Sequence, residues 1–167
     1  MPSEQQSPQM DIFRGAEAER SPFDIEKLSD KFRRRNTGWS IPEAYLAILI
    51  SAGLADGNLH PQEAEEIRNV VARSRALSSL SPAELSSANT VVNERLQKRP
   101  EALEEACHTL PTDMCLSVFA HAADLILADG ALTKSEADFL ERLARCMDIA
   151  DDSVQRILEV LLLKAQY

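Results

Sequence analysis

One ten-residue pattern occurs twice in this chain, and its repetition constrains the fold more than any other feature. Leu54-Ala-Asp-Gly-Asn-Leu-His-Pro-Gln-Glu63 and Leu127-Ala-Asp-Gly-Ala-Leu-Thr-Lys-Ser-Glu136 align without a gap at an offset of 73 residues. The match runs on into the next segment. Ala64, Ile67, Val70 and Val71 align with Ala137, Leu140, Leu143 and Ala144, so an apolar helix face is repeated as well. Shared spacing over this length marks an internal duplication, with repeats at about 41–75 and 112–148.

Each copy reads as helix, loop, helix. Ser40-Ile-Pro-Glu43 is a capping box with proline just inside the start. Tyr45, Leu46, Ile48, Leu49, Ile50 and Ala52 leave that first helix little polar face, which predicts a central, buried helix. Its counterpart starts at Pro111-Thr-Asp113 and carries Leu116, Val118, Phe119, Ala122, Ala123, Leu125 and Ile126. The segments that leave the loops, Pro61 to Arg75 and Lys134 to Met147, are amphipathic. Ser81-Pro-Ala-Glu84 opens a further helix to about Lys98, and Pro100 to Thr109 a shorter one. Asp151-Asp-Ser153 caps a last helix with Val154, Ile157, Leu158, Leu161 and Leu162 at core spacing.

Glycine is scarce, and Ala, Leu and Glu are plentiful, which favours helix over sheet. The expected fold is therefore all-α: a compact bundle of about seven helices from two pseudo-symmetric halves, over residues 40–167. Residues 1–39 form an N-terminal arm. Within it Ser21 and Pro22 can start a helix with Ile25, Leu28 and Phe32 on one face, ended by Arg33-Arg34-Arg35. Asn36-Thr-Gly-Trp39 reads as a linker or turn.

The formal net charge of −9 repels phosphate backbones and argues against nucleic acid, while suiting cations or basic partners. The polar N-terminus is not a signal peptide. The most apolar run, Ala44 to Ala55, is shorter than the ~20 residues a bilayer span needs. A soluble, cytoplasmic protein without a transmembrane segment is expected. Cys107, Cys115 and Cys146 form no C-x-x-C pair and read as small buried residues.

The chemistry, if any, lies in the loops. In the register of a calcium-binding loop, Asp56-Gly57 and Glu63 take the fifth, sixth and twelfth positions, as do Asp129-Gly130 and Glu136. The first and third positions are Ala52 and Leu54 in one copy, Leu125 and Leu127 in the other, none of which can ligate a cation. A purely structural reading explains most of the pattern. Glycine ends a helix in the left-handed conformation, His60 and Thr133 precede the next helix, and Glu63 and Glu136 belong to capping boxes. Leu59 and Leu132 would plug the turn. The aspartates are explained least, since a carboxylate in the last turn opposes the helix dipole. His60 beside carboxylates could recruit Zn²⁺, but the second copy has Thr133 there. His121 and Asp124 lie three apart on one helix, and Asp124 faces Ser51 in the alignment. Glu105-x-x-His108 is half of a di-iron motif with no second half. No phosphate loop or nucleophile motif indicates an enzyme.

The doubled L-A-D-G-x-L-x-x-x-E pattern on paired helices resembles the TerB-like, tellurite-resistance domain, a fold also similar to the N-terminal region of certain membrane-anchored DnaJ-type co-chaperones. The resemblance covers roughly Ile41 to the C-terminus. It implies two related helical halves with acidic residues at one pole that bind a divalent metal. Carried over residue by residue, the ligands are Asp56, Glu63, Asp129 and Glu136, with Asp124 and His60 secondary. Oxygen donors suit Ca²⁺ or Mg²⁺ better than Zn²⁺. The resemblance further implies a non-enzymatic role in stress or tellurite resistance, with protein partners at the cytoplasmic membrane face. The alternative is a metal-free protein-interaction scaffold whose acidic surface docks a basic partner.

Overall fold

The computed structural model describes residues 37–166, and they are all-helical, with no strand among them. Seven α-helices follow in order: α1 (Ile41–Gly53), α2 (Pro61–Arg73), α3 (Pro82–Lys98), α4 (Ala102–Thr109), α5 (Thr112–Ile126), α6 (Lys134–Cys146) and α7 (Asp151–Ala165). A 3₁₀ turn at Leu127–Asp129 follows α5. The expected arm helix at 21–35 lies outside the described residues.

α1 is the axis of the bundle. Every side chain from Ala44 to Ile50 is buried, and the helix packs chiefly against α3, α4 and α5. Its N-terminus is fixed as the sequence predicts: Ser40 Oγ accepts from Glu43 N, and Glu43 Oε2 accepts from Ser40 N at 2.8 Å. α5 is the second buried helix, through Val118, Phe119, Ala122, Ala123, Leu125 and Ile126. α6 adds Leu140, Leu143 and Ala144 to the core. α2 and α7 bury no residue completely and form the outer layer.

Three details differ from the sequence reading. Trp39 is not linker: it is 7% exposed, part of the core, and stacked under the Arg95 guanidinium at 4.5 Å. A single aromatic in a polar stretch has no periodicity to betray it, and its burial is set by α3. α2 ends at Arg73 rather than Arg75, because Ser74 turns extended and is itself buried, its Oγ accepting from Ala76 N. At the start of α7 the cap is Ala150, without a side-chain bond. Asp151 and Asp152 lie inside the first turn, where their charge suits the dipole.

Candidate functional site: the paired loops and grooves

The two Asp–Gly loops are built alike. Gly57 (φ 98°) and Gly130 (φ 76°) take the left-handed conformation that a β-carbon would strain. Their N–H groups donate to Leu54 O and Leu127 O, closing one extra turn beyond α1 and α5. Across each glycine the aspartate bonds the backbone two residues on: Asp56 Oδ1 accepts from Asn58 N and Asp129 Oδ1 from Ala131 N, both at 3.0 Å. This is an Asx turn, and it accounts for the residue that the structural reading had left unexplained.

The glutamates cap. Glu63 Oε2 accepts from His60 N at 2.7 Å. Glu136 Oε2 accepts from Thr133 N at 2.7 Å and from Thr133 Oγ1 at 2.8 Å, and its side chain is buried. Unlike Thr133, His60 turns its ring away from α2, placing Nε2 3.2 Å from Asp56 Oδ2. The Asn58 N–H, and then the His60 ring, hold the Asp56 carboxyl below the usual carboxylate range. Leu59 and Leu132 plug their turns only in part, at 41% and 43% exposure, although Leu59 lies directly over Gly53.

The remaining candidates are held elsewhere. Asp124 pairs with Lys164 of α7 through both carboxylate oxygens, at 2.7 and 2.8 Å. His121 Nδ1 bonds the Tyr45 hydroxyl, and burial pushes this imidazole below its ordinary pKa against the opposing pull of Asp124. Asp56, Glu63, Asp129 and Glu136 are not pooled. Among the described residues no three His, Cys, Asp or Glu side chains lie close enough to hold one metal ion. The donors are the hard oxygens that Ca²⁺ or Mg²⁺ prefers, but their arrangement falls short of the six to eight ligands of a Ca²⁺ site.

Sequence reasoning missed a second pair of features. An open groove of about 690 Å³ runs between α2 and α3, floored by α1. Another of about 620 Å³ runs between α6 and α7. They are the same groove in the two repeats. At the 73-residue offset, Leu59, Ala64, Ile67, Val71 and Leu85 of the first correspond to Leu132, Ala137, Leu140, Ala144 and Leu158 of the second. The register that aligns the loops thus continues into α3 and α7. That signal was present in the sequence, masked by unequal connectors: α2 to α3 spans Ser74 to Ser81, while α6 to α7 spans only Met147 to Ala150.

No helix of the described residues is long and apolar enough to cross a membrane. No curated protein and no solved structure matches the chain. Residues 42–159, more than half of the chain, match the family model described as tellurite resistance protein TerB. The doubled loop, the duplicated three-helix unit and this match together place the chain in the TerB family.

Proposed function

We propose that this chain serves tellurite or general stress resistance as a non-enzymatic protein-interaction module, with the Asp–Gly loops as rigid corners rather than ligand sites. The observation that carries this reading is the pair of equivalent apolar grooves, each left open on the outer layer of the bundle. The corners set the angle at which α2 leaves α1 and α6 leaves α5, and so place one wall of each groove, linking capping chemistry in the loop to groove shape on the surface. Photo-crosslinking in the producing cell, with a photoreactive residue at Leu59 or Leu162, tests it. Discrete protein adducts are expected from at least one position, and a probe at exposed Leu116, outside both grooves, should give none of them. Adducts of the same pattern from all three positions, or none at all, refute the reading.

A second reading, a divalent-cation module, is supported by the exposed Asp56 and Asp129 carboxylates recurring in both loops. A Ca²⁺, Mg²⁺ and Zn²⁺ titration followed by thermal unfolding decides it. A specific site at ~100 times its Kd adds about 2.7 kcal/mol, which Asp56→Asn with Asp129→Asn should remove. Equal shifts in both proteins mean general screening, and no shift leaves the carboxylates as caps.

A further inference from the structure

The two grooves share apolar wall positions but not a rim, and the α1 residues Leu46 and Ile50 that floor the first have no α5 counterpart lining the second. At the first, the polar positions are Arg68, Ser78, Ser86 and Asn89. At the second, the residues 73 positions on are Glu141, Asp151, Glu159 and Leu162. Three have become acidic and the fourth apolar, while the apolar wall positions are retained. Among the described residues Arg145 is the one basic side chain lining the second groove, and it already pairs with Glu141. The duplication thus provides its own control: one apolar cleft, presented with two electrostatic faces.

The second groove is also the more exposed apolar surface. Leu132 and Leu162 line it at 43% and 40% exposure, against Leu59 alone at 41% among the large apolar residues lining the first groove. Solvent-facing leucines in this density, rimmed by charge, mark a binding surface. The walls are two helices with apolar residues at helical spacing, Ala137, Leu140 and Ala144 on α6 and Val154, Leu158 and Leu162 on α7. Such a cleft accepts a third helix packed by ridges and grooves.

We propose that the α6–α7 groove docks an amphipathic helix of a partner protein that carries an apolar stripe flanked by lysine or arginine; this rests on the interaction-module reading above. The acidic rim selects the flanking charge, and the leucine-bearing walls take the stripe. A second copy of this chain is a poor occupant, because a net charge of −9 would meet the same acidic rim. The rim of the α2–α3 groove, whose Arg68 is itself paired with Glu65, is near neutral and does not share the preference.

The test uses two synthetic helical peptides with one identical leucine stripe, flanked by lysines or by glutamates, titrated into the full chain at 0.05 and 0.3 M salt. Binding is read by fluorescence anisotropy, and the site by amide shift perturbation. The lysine peptide should bind with shifts confined to α6 and α7, more tightly at low salt, and the glutamate peptide at least tenfold more weakly. Asp151→Ser with Glu159→Ser recreates the residues of the first groove and should weaken the lysine peptide about fivefold, as two rim charges would. Leu162→Asp, at an exposed position that leaves the fold intact, should weaken it at least tenfold. Equal affinity for both peptides, or shifts on α2 and α3, overturns the proposal and leaves the interaction-module reading standing. Absence of binding while Leu162 still gives crosslinks in the cell does the same. Absence of both overturns the two together.

Discussion

Replacing Glu136 separates a capping carboxylate from a metal ligand. Its Oε2 accepts both the Thr133 N–H and the Thr133 hydroxyl, at 2.7 and 2.8 Å, in a position only 8% exposed. Glu136→Ala removes both bonds. The hydroxyl can turn to water or to Ser135, which lies 3.2 Å away. The Thr133 N–H cannot move and loses its charged acceptor. One hydrogen bond to a charged group contributes about 1.5–3 kcal/mol, and a capping interaction lost at a helix start costs about 1 kcal/mol. A loss of about 2–3 kcal/mol is therefore expected, or roughly 6–10 °C in Tm for a domain of this size. Glu136→Gln keeps an oxygen acceptor at the same reach, and glutamine serves in capping boxes. It should cost under about 1 kcal/mol. The equivalent Glu63→Ala, in the more exposed loop, should cost about 1 kcal/mol. Thermal and urea unfolding followed by far-ultraviolet circular dichroism measures all three. If glutamine costs as much as alanine without metal, charge rather than hydrogen bonding holds the loop, and the corner argument is wrong.

Asp56→Ala should lose an advantage that depends on pH. The folded carboxyl titrates below its ordinary 3.8, so wild type gains stability above pH 3.8 and loses it as pH falls through the lower folded value; a wild-type-minus-variant difference that stays flat from pH 6 to pH 2 in urea unfolding would contradict this. His121 gives the same sign of pH dependence in a higher window. Its folded pKa lies below 6.5, so the unfolded chain binds the extra proton first, and stability should fall as pH drops from 6.5 to the folded value and level off beneath it. His121→Gln should flatten that step, as read by urea midpoints between pH 5 and 8. Phe119→Ala, at a fully buried position of α5, should cost about 3–5 kcal/mol with the helix content of the remaining fold unchanged. Trp39→Ala should cost a comparable amount if the residue belongs to the core, and under about 0.5 kcal/mol if it were linker.

The helices were legible because their signals are local. The capping boxes at Ser40 and Ser81 stand where the spacing placed them, and the apolar stripes of α1 and α5 became the two most buried helices. What was not legible depended on neighbours distant in sequence. Nothing in Thr37-Gly-Trp39 announces Arg95, which lies over the indole from α3. Nothing around Asp124 announces Lys164, forty residues away. The Asx turns were within reach, since Asp-Gly followed by a backbone donor is a known turn chemistry. They were obscured by the competing calcium-loop register, which assigns the same two residues to ligand duty. The grooves sat between these cases. Their apolar wall positions are readable from the repeat, but their openness depends on which faces of α2 and α7 stay uncovered, and no periodicity reports that.

The duplication also shows where the two halves diverge. At positions where α1 carries Ala44, Ile48 and Ser51, α5 carries Ser117, His121 and Asp124. α1 can be enclosed on all sides because that line is almost wholly apolar. α5 cannot, and its polar line meets the Tyr45 hydroxyl and the Lys164 ammonium instead. Lys164 thereby ties α7 to α5 through a largely exposed ion pair, an interaction contributing about 0.2–1 kcal/mol. With no completely buried residue of its own, α7 is held mainly by half-buried leucines and isoleucine. A helix so held can shift its axis slightly at little cost. α2, which likewise buries no residue completely, stands in the same position at the first groove, so each groove has one wall held mainly by half-buried side chains.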